Sequence, residues 1–115
     1  MGHRKIQIQK HNDGWHFEIM PGNNHNQPMG VSPAYPSYNE CDNQQKRFCH
    51  IVRTKILNDA DSPFIVIRKD TSNENYYFQY IDESGNAILS SRGGYTQKAN
   101  CKKAISSIYK AVIEK

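Results

Sequence analysis

The five histidines and three cysteines of this 115-residue sequence are the side chains best suited to bind a metal or to serve as base and nucleophile. A metal needs several ligands brought to one point, which sequences usually announce through close Cys or His spacings. Cys41, Cys49 and His50 show no such spacing, and Cys49 and His50, neighbours on a helical stretch, point about 100° apart. No metal and no cofactor is expected. A nucleophilic Cys–His pair needs an exposed, activated thiolate. Cys101 falls on the apolar arc of one helical pattern and Cys49 lies beside that of another, so both read as core fillers. Gly93-Gly94 lacks the lysine and the spacing of a phosphate-cradling loop. No catalytic residue is assigned, and the chain is expected not to be an enzyme.

Binding is the chemistry that remains. If two helices cover one face of a sheet, the other face displays Gln7, Gln9, His16, Glu18, Val66, Arg68, Tyr77 and Gln79. Tyr77 and His16 are rings on which bases could stack, with Arg68 nearby, as on other single-strand-binding sheets. Glu18 opposes that reading. Scattered rings and amides are also what a dimer interface presents. The charge adds a second patch. Residues 1–94 hold ten basic and ten acidic side chains, whereas Tyr95–Lys115 holds five lysines and only Glu114. Lys98 and Lys102 stand in the first turns of that last helix. Its lysines spread over roughly 140° of the polar side, with no arginine for bidentate phosphate contact, so a solvated face is the simpler account. The candidate surface is therefore His16, Arg68, Tyr77 and Gln79, with Lys98 and Lys102 as an outlying basic group. Its expected partner is a second copy or another protein; the alternative is nucleic acid or a small ligand.

The elements that must position these residues come in a repeated order. Ile6-Gln7-Ile8-Gln9-Lys10 returns 59 positions later as Ile65-Val66-Ile67-Arg68-Lys69. Trp15-His16-Phe17-Glu18-Ile19 is echoed by Tyr76-Tyr77-Phe78-Gln79-Tyr80, and Tyr38-Asn39 by Tyr95-Thr96. Alternation predicts a strand at 6–10 and a hairpin through Asn12-Asp13-Gly14 into Trp15–Ile19. A polar loop follows at 21–27, then a short third strand around 29–32, with Pro33 and Pro36 stopping it. Asn39 is the expected cap of a helix whose apolar side is Phe48, Ile51, Val52 and Ile56. In the second half, Phe64–Ile67 is apolar on both faces and reads as an interior strand. Tyr76–Tyr80 and Ala87–Ser90 supply two more strands, and Thr96 caps a helix with an arc of Cys101, Ala104, Ile105, Ile108, Tyr109 and Val112. The expected core is Ile6, Ile8, Trp15, Phe17, Ile51, Ile65, Ile67, Phe78, Ile105, Ile108 and Val112.

Ile88-Leu89-Ser90-Ser91-Arg92-Gly93-Gly94-Tyr95-Thr96-Gln97-Lys98, followed by Cys101, Ala104-Ile105 and Ile108, resembles the YegP-like family of small bacterial and archaeal domains. The second half, 64–110, matches that pattern over nearly its whole length. The first half, 6–56, matches in outline, with Pro33–Tyr38 in place of the glycine-tyrosine signature. The resemblance implies two motifs sharing one antiparallel sheet backed by helices. It implies no reaction, and it assigns no functional residue.

The expected architecture is α+β: tandem β-β-β-α repeats, about 4–57 and 64–115, in a single domain. They form one shared antiparallel sheet with two helices packed on one face. Three strands under one helix are marginal alone, so each half should complete the other. No apolar run approaches the ~18–20 residues of a membrane span, and the start does not read as a secretory leader. An odd, widely spaced set of cysteines argues against a disulfide framework. A reduced, cytoplasmic protein is the expectation.

Overall fold

The computed structural model describes residues 5–21 and 27–114. Its elements follow the order β1 (Lys5–His11), β2 (Gly14–Met20), β3 (Gly30–Val31), α1 (Tyr38–Ile51), β4 (Ile65–Lys69), β5 (Tyr76–Ile81), β6 (Ala87–Ser91) and α2 (Lys98–Ile113). The strands form one antiparallel sheet in the order β1-β2-β3-β6-β5-β4, so the halves join through β3 and β6. Both helices bury their apolar sides on one face of it, which makes the fold α+β. Most of the polar loop expected at 21–27 lies outside the described residues.

Strand alternation decides which face meets the helices. Phe17 and Ile19 of β2, Phe78 and Tyr80 of β5, Leu89 of β6 and Ile65 of β4 point inward and are buried. Phe48 of α1 bridges the halves: its ring centroid lies 5.5 Å from Phe17 and 5.3 Å from Tyr80. Ile105, Ile108 and Val112 of α2 close the same cluster, as do all three cysteines, which are free thiols. Ile6, Ile8, Trp15 and Ile67 belong to the expected core but are only partly buried at its margin. Ile6 and Ile8 lie on β1 and Ile67 on β4, the two edge strands, where one flank has no neighbour.

Several local expectations are corrected. Ser37, not Asn39, is the N-cap of α1; its hydroxyl accepts from the Glu40 amide at 3.2 Å. The cap of α2 is Gln97 rather than Thr96, and its side chain makes no capping bond. Isolated bridges join Trp15 to Tyr35 and Tyr76 to Tyr95, whereas Tyr38, aligned with Tyr95 in the sequence, opens α1. β4 is an edge strand, not an interior one. Its apolar second face arises because Val66 borders a recess on the open side, while the Phe64 ring lies under the Lys55 ammonium. α1 ends in a π-helical turn, Val52–Ile56, closed by the Leu57 amide on the Val52 carbonyl. From that turn Arg53 donates to the Val112 carbonyl at 2.9 Å, tying it to the end of α2.

Candidate functional site

The helix-free face of the sheet carries an uninterrupted cross-strand row. Gln7, Glu18, Val31, Ser90, Gln79 and Val66 stand in register from β1 to β4. Two adjoining recesses open on this face and share Ser90 and Ser91 as a common border. One, of about 400 Å³, lies over β4–β5 and is bordered by Arg68, Tyr77 and Gln79. The other, of about 480 Å³, lies over β2–β3 and is bordered by His16, Glu18, Val31 and Arg92.

The recess over β2–β3 is internally tied together. His16 is buried; its Nδ1 lies 2.7 Å from the Ser32 carbonyl and its Nε2 lies 2.8 Å from an Asp13 carboxylate oxygen. Both partners are acceptors, so only the imidazolium, with an N–H on each nitrogen, satisfies both. Burial alone would push the His16 pKa down; the Asp13 carboxylate and the Ser32 carbonyl outweigh it and hold it above 6.5. The His16 bond in turn holds the Asp13 carboxyl below its usual value. Glu18, also buried, accepts from Gln7 at 3.3 Å and lies 3.0 Å from His11 Nε2. Ser32, His16 and Asp13 have the composition of a hydrolytic triad, but the geometry is wrong for one. Ser32 offers His16 its carbonyl, and its hydroxyl instead accepts from the Phe17 amide and donates to the Pro33 carbonyl. Neither His16 nitrogen is left to take a proton from a substrate.

The recess over β4–β5 is differently built. Arg68 pairs with Tyr77 across the β4–β5 ladder. Tyr77 accepts at its hydroxyl from Asn73 Nδ2 at 3.0 Å. Its ring tip rests on Gly94: a Cβ there would lie 2.8 Å from Tyr77 Cζ and 2.7 Å from Asn75 Cβ. Gly94 is thus required by a close approach, and the ring is held in place from two sides. Gln79 donates to the Ser90 hydroxyl at 3.3 Å. Among the described residues, neither Arg68 nor Arg92 has a carboxylate within ion-pairing reach. Asp70 borders the same recess, with its carboxylate engaged by the Ser72 hydroxyl and amide.

Of the residues singled out from sequence, Arg68, Tyr77 and Gln79 come together, and His16 lies in the adjoining recess as a buried group. Lys98 and Lys102 do not join them. They belong to α2, on the other side of the sheet, where Lys102 pairs with Asp61 at 3.4 Å. Arg92 was missed because it lies beyond the end of β6. The alternation Leu89-in, Ser90-out carried two residues further would have found it. Asp82 was missed as well. It is buried, and its carboxylate accepts from the amides of Ser84 and Asn86 and meets Arg47 at 3.3 Å. The bond from Asn86, assisted by Ser84 and Arg47, holds its pKa below the usual value. Its signal was the Asp-x-Ser-Gly-Asn string of an Asx turn.

The three cysteines lie in the core beneath the helices. Burial raises the pKa of Cys41 and Cys101, keeping both protonated and unreactive. Among the described residues no group of three His, Cys, Asp or Glu side chains converges as metal ligands would. No described helix is long and apolar enough to cross a membrane.

The architecture has solved counterparts. The solution structure of YegP from E. coli, a protein of unknown function, superposes with a TM-score of 0.74 at 14% identity, covering 97% of this chain and 88% of that one. A UPF0339 protein from Shewanella oneidensis superposes at 0.76, again with 14% identity, covering 96% of this chain and 85% of its own. The chain therefore has the YegP-like fold. No protein-family profile and no curated protein matches its sequence.

Proposed function

We propose that this chain is a non-enzymatic binding module whose partner docks on the helix-free face of the YegP-like sheet. The observation that carries the reading is the pair of adjoining recesses on that face, bordered by two arginines that have no carboxylate partner among the described residues. The chemistry of the other groups supports it: the three cysteines are buried, burial raises the pKa of Cys41 and Cys101, and the buried histidine, His16, has both ring nitrogens occupied. A cytoplasmic location fits the reduced thiols.

A stable interface with a second copy or another protein usually has an apolar centre. Here Val31 and Val66 are flanked by charged and amide side chains, which favours a polar, charged partner, that is, a nucleic acid or a small anionic ligand. We further read the chain as two copies of one β-β-β-α motif, about 4–57 and 64–115. The matched bridges Trp15–Tyr35 and Tyr76–Tyr95 support this, as do buried cysteines six residues after each tyrosine, Cys41 and Cys101.

Affinity capture from the protein's own cells tests the docking face. Arg68→Glu with Gln79→Glu should abolish recovery of whatever co-purifies, and Lys103→Glu on α2 should leave it unchanged. Capture that survives the first change and fails with the second would overturn the reading.

A further inference from the structure

We infer that Arg68, Tyr77 and Arg92 form a subsite for a flat ring linked to phosphate, and that its ligand is single-stranded nucleic acid. The inference rests on the docking face proposed above and names what that face takes.

Three independent features converge. The first is charge without a counter-charge. Arg68 and Arg92 have no carboxylate partner among the described residues, whereas Arg47, Lys69 and Lys102 each have one. A guanidinium is a planar, bidentate phosphate ligand. The second is spacing. Arg68 lies on β4 and Arg92 follows β6, so the two flank β5 and Tyr77 from either side. Two strand intervals put them roughly 10 Å apart, far enough for each to take its own phosphate with a base between. The third is a ring that is already positioned. Asn73 holds the Tyr77 hydroxyl and Gly94 seats its tip, so stacking a base on it orders little that is not ordered beforehand.

Nearby groups set the limits of the subsite. The Ser90 hydroxyl accepts from Gln79 and still has a proton to donate to a ligand. Asp70, at the outer border, and Glu18, in the adjoining recess, are repulsive to phosphate. The strand is therefore confined to the part of the face between them. Duplex DNA does not present unstacked bases to such a surface, which restricts the ligand to a single strand.

The test is fluorescence anisotropy with a short labelled oligothymidylate, read across a salt series. Two phosphate contacts predict a slope of log affinity on log salt near about −1.4, and Arg68→Gln or Arg92→Gln should each reduce its magnitude by about 0.7. Tyr77→Leu should weaken binding about ten-fold or more, while Tyr77→Phe, which keeps the ring, should bind within about three-fold of the parent. Polyglutamate competing as well as the oligonucleotide would overturn the inference, because charge alone would then explain the binding. Resonances of the labelled protein distinguish the levels of failure. Oligonucleotide shifts confined to Lys98, Lys102, Lys103 and Lys110 would overturn both this inference and the docking face. No shift with the oligonucleotide, together with Arg68-dependent capture of a protein, would overturn the inference alone.

Discussion

The two ends of the helix-free sheet face differ in what their polar groups are doing. Over β2–β3, His16, Glu18 and Ser32 are buried and bonded to one another's neighbours, so the polar chemistry is turned inward. Over β4–β5, Arg68 is exposed and Tyr77 is held at its hydroxyl and ring tip; among the described residues neither Arg68 nor Arg92, which borders the adjoining recess, has a carboxylate partner. Two positions on one sheet face thus serve different ends. His16 and Tyr77 each precede an inward phenylalanine, Phe17 and Phe78; the first is locked into a network and the second is presented. Buried polar groups stabilise a fold only when every donor and acceptor is matched. A surface meant to bind must leave some of them unmatched.

The largest effect should come from the element both ends share. Phe48→Ala removes the ring between Phe17 and Tyr80 and should cost about 3–5 kcal/mol, measured by urea unfolding. A loss confined to one half, seen by hydrogen exchange, would show that the halves do not share a core. The next sharpens the contrast directly. Ser32→Ala strands the buried Phe17 amide and should cost about 1–3 kcal/mol, whereas Ser91→Ala, whose bond to the Phe78 amide is 3.3 Å and half-buried, should cost less than about 1 kcal/mol. Equal costs would erase the distinction between the two ends.

Titration gives a smaller and differently signed test. The His16 pKa is raised in the fold, so its stabilisation is complete below the unfolded value near 6.5 and is lost as pH rises through the folded value. Asp13 is depressed, so its share is present above 3.8 and lost as pH falls. Melting temperature should therefore decline as pH is raised above about 6.5, and His16→Gln should flatten that decline. The smallest effects are expected at the binding end. Arg68→Gln and Arg92→Gln should each change stability by no more than about 0.5 kcal/mol, because both are exposed and neither has an ion-pair partner among the described residues.

Much of this architecture is legible in the sequence. Ile6-Gln7-Ile8-Gln9 and Trp15–Ile19 alternate cleanly because one side of each strand packs toward the helices, and the helix arcs are long enough to show their period. What was hidden depends on contacts distant in sequence. β3 is just two residues, held by pairing with β2 and β6 rather than by its own pattern. The edge position of β4 could not be read from Phe64–Ile67, since an apolar second face arises equally from a recess. Ser37 and Asn39 are both good caps, and the backbone, not the residue type, decides between them. At the site, Arg68, Tyr77 and Gln79 follow from strand parity. The burial of His16 follows from Ser32 folding back on it, which no local pattern announces.

The most direct measurement is chemical-shift mapping of the isotopically labelled chain as the single-stranded oligonucleotide is added. The account predicts movement at Arg68, Tyr77, Gln79, Ser90 and Arg92, with His11, His16 and Glu18 nearly still. Movement centred on α2, or on the His16 network with Arg68 and Tyr77 unmoved, would contradict it.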